Sequence, residues 1–202
     1  MERSIVTGPR LLLLGYGVSG YAENAEPWPL EGRSGVSGTF LSETIGTSSS
    51  EMISSSGRFS SFKPDHYLWE IQMPDRQVLL INPDGFWQID FDLEVAIVRD
   101  VPDAVQLPLA YIWLDQTELE RFSDNVAKGQ IEAISEFDLQ VLSPTALEMR
   151  IVDPLGRATR FELNIESTEA PAPMLFQPNI PEGMDFFDER TQRPAMTGVN
   201  LK

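Results

Sequence analysis

Residues 59–90, FSSFKPDHYLWEIQMPDRQVLLINPDGFWQID, alternate apolar and polar positions in short runs separated by proline- and glycine-marked turns. Tyr67, Trp69 and Ile71 alternate with Leu68, Glu70 and Gln72, which predicts a strand with one aromatic face. Asn82-Pro83-Asp84-Gly85 predicts a tight antiparallel turn. Beyond it Trp87, Ile89 and Phe91 fall on one face and Gln88, Asp90 and Asp92 on the other. The pattern therefore predicts a single surface carrying Tyr67, Trp69, Ile71, Trp87, Ile89 and Phe91. Such a surface is either packed core or the wall of a cavity, and periodicity alone favours core.

The same period continues on both sides. Residues 58–63 read as a strand with Phe59 and Phe62 on opposite faces, and residues 93–99 extend the sheet after Asp92. Further strands are predicted at 131–141, 147–152 and 158–165, the last with Thr159, Phe161, Leu163 and Ile165 on one face. Residues 31–56 are rich in glycine and serine; Val36, Thr39, Phe40 and Ile45 fit a short strand or a frayed helix, and the serines at 48–50 a loop tip. Residues 107–114, LPLAYIWL, are almost wholly apolar and lead into Thr117-Glu118-Leu119-Glu120, the spacing of a capping box. Residues 103–127 are thus expected to be helical and to lie over a sheet. The predicted class is mainly β with a helical lid (α+β), built on a strongly curled antiparallel sheet. Several strands are apolar on both sides (Phe59 with Phe62, Val78 with Leu79, Phe86 with Trp87), so a second cover is needed.

At 202 residues the chain is long enough for one domain with a real core. The expected limits are 31–187, preceded by residues 1–30 and followed by a polar tail at 188–202. The first thirty residues have the order of a secretory signal, with Arg3 and Arg10 before Leu11–Leu14, yet glycines interrupt the apolar stretch; the alternative is a loosely packed N-terminus. A net charge of -16 argues against nucleic acid and anionic lipid as partners. The absence of cysteine removes disulfides, thiolate metal sites and a cysteine nucleophile. His66 is the sole histidine and is expected at the surface, which leaves a transition-metal site without support. No nucleophile elbow, phosphate loop or dinucleotide fingerprint occurs, so no catalytic residue, metal or cofactor is assigned.

Lys63-Pro64-Asp65-His66-Tyr67-Leu68-Trp69-Glu70, then Asp84-Gly85 with Trp87-Gln88-Ile89-Asp90, then Asp153-Pro154-Leu155-Gly156-Arg157, and a close at residues 176–185 occur in an order that resembles the outer-membrane lipoprotein carrier family, LolA. The resemblance spans about residues 36–187. It implies an incomplete antiparallel β-barrel covered by short helices. It further implies a monomeric periplasmic carrier that takes lipoprotein acyl chains from an inner-membrane ABC transporter to an outer-membrane receptor. Tyr67, Trp69, Ile71, Trp87, Ile89, Phe91, Leu109, Ile112, Trp113, Phe161 and Leu163 would contact lipid. Lys63 stands where the family usually has an arginine that holds the lid. Two further departures are the absence of a long N-terminal helix and a middle region with room for fewer strands. A sensor or interaction domain of the same shape, or a carrier of another lipid, is the alternative.

Overall fold

The computed structural model describes residues 28–46, 52–102 and 108–191, together with the backbone of 200–201. Six antiparallel strands follow one another as a meander: β1 Gly35–Ile45, β2 Met52–Phe62, β3 His66–Met73, β4 Gln77–Asn82, β5 Gly85–Asp90 and β6 Val95–Arg99. Two helices come next, α1 Pro108–Tyr111 and α2 Gln116–Ala127, then β7 Glu136–Ser143, β8 Ala146–Val152 and β9 Ala158–Ser167. A 3-10 turn at Pro173–Phe176, β10 Asn179–Ile180, β11 Asp185–Asp188 and β12 Asn200–Leu201 complete the order. Ten strands form one open sheet, in the order β11-β6-β5-β4-β3-β2-β1-β9-β8-β7. β9 returns to pair with β1, and β11 crosses to the far edge and pairs parallel to β6.

The serine- and glycine-rich stretch supplies the centre of this sheet. β1 and β2 are eleven residues each and pair along their whole length. Their weak intrinsic strand preference is overridden by neighbours on both sides. The ladder slips at Ser37/Gly38 and at Ser56/Gly57. A β-carbon at Gly38 would lie 1.9 Å from the Asn164 carbonyl oxygen, and one at Gly57 1.9 Å from that of Glu70. Both glycines mark bulges where a neighbouring backbone comes too close for a side chain, and bulges bend a sheet. The serines at 48–50 lie outside the described residues, as do residues 1–27 and 103–107.

Other elements begin elsewhere than expected. Leu93 belongs to the β5–β6 turn and β7 starts at Glu136, because residues 131–135 form a turn. The helical stretch is two pieces broken at 112–115. Asp115 caps α2: the Glu118 N–H donates to Asp115 Oδ1 (2.8 Å) and the Asp115 N–H to Glu118 Oε2 (3.1 Å). The capping box thus lies two residues before the Thr117 spacing. Leu119, Phe122 and Val126 then recur at helical spacing and pack against the sheet.

The two faces of the sheet bury separate clusters. The concave face holds Val36, Phe40, Phe59, Leu139, Leu147, Met149 and Leu163 under Leu109, Tyr111, Ile112 and Val126 of the helical region. Trp28 and Leu30 join this cluster, and the Trp28 Nε1–H donates to the Ile112 carbonyl (3.1 Å). The convex face holds Leu68, Leu80, Trp87, Ile89, Ala96 and Val98 beneath Phe176 and Ile180. This C-terminal strap is the second cover that the two-sided strands required. Asn82 fixes it by donating Nδ2–H to the Phe176 carbonyl (2.9 Å). Residues past the expected limit at 187 are part of it: Arg190 is buried, forks onto Asp188 (2.9 and 2.8 Å), and donates to the Asp84 carbonyl (2.9 Å).

The expected single aromatic surface does not exist. Trp69 pairs with Leu79, and Leu79 pairs with Gln88; Tyr67 pairs with Ile81, and Ile81 with Phe86. Trp87, Ile89 and Phe91 consequently point to the convex side, away from Tyr67, Trp69 and Ile71. A two-residue turn makes Asn82 and Gly85 partners and reverses which parity faces inward.

Replacing Gly57 with alanine should cost about 2 kcal/mol through overpacking against the Glu70 carbonyl, read as a lowered urea midpoint. Ser54→Ala, at an exposed position of the same strand, should stay within about 0.5 kcal/mol of wild type.

Candidate functional site

Side-chain size falls along the concave face. Phe40, Phe59, Leu163 and Ile165 fill one end of β1, β2 and β9. At the other end the same inward positions carry Ser42, Thr44, Ser55 and Thr159, which are too small to meet the opposite wall. The space left is a cavity of about 320 Å³, lined by these four residues with Tyr67, Trp69, Leu79, Ile81, Phe86, Pro108, Leu109 and Phe161. A second hollow of about 300 Å³ shares Pro108, Thr159 and Phe161 and runs past Tyr111 to Ala133, Ile134 and Ile151.

Among the described residues no charged side chain lines either hollow. The hydroxyls are satisfied among themselves, Ser42 with Ser55 (2.7 Å) and Thr44 with Thr159 (3.0 Å). The Tyr67 hydroxyl donates to the Pro64 carbonyl (3.1 Å), and burial, with Asp65 nearby, raises its pKa. Burial likewise raises that of Tyr111. The lining is therefore neutral around pH 7, and its small hydroxyls already have partners. It suits hydrocarbon, and it offers no group poised for acid–base or nucleophilic chemistry.

Aromatic packing holds the wall. The Trp69 ring lies 3.9 Å from that of Phe40 and meets Phe161 edge-on at 5.8 Å. Gly57, opposite Phe40 in the ladder, leaves room for these rings. Over them sits α1, and besides the burial of Ile112 the segment after it is tied to the body by polar and ring contacts. Trp28 bonds the Ile112 carbonyl; the Trp113 Nε1–H donates to Ser61 Oγ (2.7 Å); and Lys63 Nζ lies 4.9 Å from the Trp113 ring centroid. The lysine thus touches the covering segment through a ring face, a contact that an ammonium makes without the two-pronged geometry of a guanidinium.

Of the eleven residues expected to meet lipid, Tyr67, Trp69, Leu109 and Phe161 line the cavity. Ile71 packs beside them, half-buried. Ile112 and Leu163 are 0% and 1% exposed, core side chains beyond reach of a ligand in this state. Trp113 acts as a tie. Trp87, Ile89 and Phe91 lie beneath the strap. Leu79, Ile81, Phe86 and the four hydroxyl residues were not anticipated. The two-residue turn was the signal for Phe86; nothing local marks serine or threonine as cavity floor. His66, expected at the surface, packs edge-on against Phe176 at 5.2 Å, with Nδ1 2.9 Å from Asp65 Oδ1. Among the described residues no cluster of three or more potential metal ligands occurs, and no helix is long and apolar enough to cross a membrane.

The sequence model described as outer membrane lipoprotein carrier protein LolA matches residues 31–179. The chain is similar to the outer-membrane lipoprotein carrier protein of Bordetella pertussis, 24% identical over 165 residues, which are 75% of this chain and 79% of that protein. It is similar to that of Shewanella amazonensis at 23% over 150 residues (68% and 73%) and to that of Pseudomonas putida at 22% over 176 (79% and 84%).

The Trp113–Ser61 hydrogen bond is open to a double-mutant cycle. Trp113→Phe leaves the fully buried Ser61 hydroxyl unpartnered and should cost about 1–3 kcal/mol. Adding Ser61→Ala should recover part of that loss, with a coupling of about 1 kcal/mol in urea unfolding; strict additivity would show that the bond contributes nothing.

Proposed function

The chain belongs to the outer-membrane lipoprotein carrier protein LolA family, a family of carriers and not of enzymes, and from that premise we propose that it is a periplasmic carrier of lipoprotein acyl chains. The supporting observation is the cavity: apolar, with no charged side chain among its described lining residues and with its hydroxyls internally paired. In this reading the protein loads from an inner-membrane ABC transporter and unloads to an outer-membrane receptor as a monomer, and no bond is made or broken.

Size sets how the cargo fits. A methylene has roughly the bulk of a water molecule, about 30 Å³, so the main cavity takes about ten of them. At roughly 0.8 kcal/mol each, that shields about 8 kcal/mol of hydrocarbon before the costs of association. A triacyl anchor exposes on the order of fifty methylenes. Even if α1 moved outward and joined the two hollows that Pro108 and Phe161 now divide, the space would take about twenty, so most of such an anchor would stay outside. Moderate, partial shielding is the property of a carrier that must also release.

Native mass spectrometry of protein recovered from its own cells tests this directly; acylated cargo or lipid on the chain is expected, and consistently bare protein would count against transport. For the cavity itself, Ser42→Leu/Ser55→Leu fills the floor and leaves no orphan hydroxyl. It should weaken uptake of an apolar fluorescent fatty acid by about tenfold or more while the urea midpoint holds. Trp69→Glu should also weaken uptake by placing a carboxylate in the wall, and should lower the urea midpoint because the ring packs on Phe40 and Phe161. Ile112→Glu should unfold the domain, because that side chain is core.

A further inference from the structure

Two hollows of nearly equal size, about 320 and 300 Å³, lie on either side of one strand. The first spreads over β1 to β5, through Ser42, Ser55, Trp69, Leu79 and Phe86. The second spreads over β8 and the turn at 131–135, through Ile134 and Ile151. β9 runs between β1 and β8. Its residues Thr159 and Phe161, with Pro108 of α1, are the described lining residues that both hollows share. The register sets the two at the same end of the sheet: Thr159 pairs with Thr44 on one side and Ile151 on the other, and Phe161 with Ser42 and Met149. The next inward residue of β9, Leu163, is core and lines neither.

Each hollow has its own aromatic backing. The Trp69 ring, set 3.9 Å from Phe40, walls the first. The Tyr111 ring walls the second and is held between Phe122 at 4.8 Å and Phe137 at 4.9 Å. Two compartments side by side suit one long chain poorly, because it would have to bend around the Phe161 ring. They suit two chains that leave one headgroup and straddle β9, with room for about ten methylenes of each. Once the first chain is seated, the second is tethered beside its own hollow at high effective concentration. Resting on the carrier reading for the nature of the cargo, we propose that the hollows are separate subsites for two acyl chains of one lipid. Phe161 is the partition between them, and it favours a two-chain cargo over a single-chain one.

Isothermal titration of the full chain with dioctanoylphosphatidylcholine and with octanoyl-lysophosphatidylcholine, each below its micelle concentration, tests the proposal. In wild type the second chain should strengthen binding about a hundredfold or more. Ile151→Trp, which puts bulk into the second hollow alone, should cut that advantage to about threefold or less while single-chain binding holds. Ala133→Phe, at an exposed position of the turn that lines the same hollow, should do likewise without disturbing a strand. Phe161→Ala joins the hollows, so palmitoyl-lysophosphatidylcholine should gain on its octanoyl counterpart by about tenfold more than in wild type. Equal affinity for one and two chains in wild type, an advantage that survives both filled variants, or no gain on removing the Phe161 ring overturns the proposal and leaves the carrier reading standing. Protein that is bare when recovered from its own cells, yet shows the two-chain advantage in titration, counts against the carrier reading and leaves the subsites intact. Binding of neither lipid by wild type overturns both.

Discussion

A concave sheet fills its own hollow unless something keeps side chains short on one part of it. Here that constraint is met by four hydroxyl residues at inward positions of β1, β2 and β9, whereas further along the same faces of those strands stand Phe40, Phe59 and, past Phe161, Leu163. Short apolar residues would also leave space. Serine and threonine add something else, because each bonds its cross-strand partner and the pairs zip the strand ends where the ladder alone would fray. Once paired, they present methyl, methylene and satisfied oxygen to the interior. The hollow is therefore both stable and undemanding, and an aromatic wall with a neutral floor follows from it.

Keeping one face partly empty forfeits burial that a sheet of this size would otherwise gain. The convex cluster offsets that loss. Trp87, Leu80, Ile89 and Val98 are sealed by Phe176 and Ile180, and the sealing segment is secured by Asn82 and by the buried Arg190 fork. Aspartate at 188 holds the guanidinium charged by direct hydrogen bonding, and Trp87 lies 5.7 Å from it. Both faces therefore carry core, the concave one through Phe40, Phe59, Met149, Leu163 and Ile112, and the hollow occupies only the part of that face where the inward side chains are short.

Much of the architecture was legible. The alternation at residues 67–72, the Asn-Pro-Asp-Gly turn and the inward row Thr159, Phe161, Leu163 and Ile165 became the elements they predicted, while the apolar run after Pro108 is helical only as far as Tyr111. The ordered motifs pointed to the family that the chain matches. What failed was relative facing. Alternation shows that Trp69 and Trp87 each sit on an apolar face, but only the number of residues in the intervening turns shows whether it is the same face, and a two-residue turn made it the opposite one. The central strands were hidden for a different reason. Serine and glycine carry low strand propensity, and β1 and β2 form because partners flank them, information that is absent from any local window. Long-range packing also decided Ile112, whose apolar setting in residues 107–114 is equally compatible with cavity wall and with core.

The difference in how cover and sheet are held decides what can move. β1 is paired along its length on one side and over most of it on the other, whereas the segment after α1 is held by two indole hydrogen bonds and a ring–ammonium contact. Each such contact is worth about 1 kcal/mol net, so releasing the polar ties costs about 3 kcal/mol, a fraction of the stability of an ordinary domain. Burial of Leu109 and Ile112 adds to the cost. On the proposed carrier reading, hydrocarbon entering the hollow would replace the contacts Leu109 gives up. The apolar attraction holding the empty protein shut would then be met by cargo when the protein is loaded, and a chain could be taken up and surrendered without any chemical step.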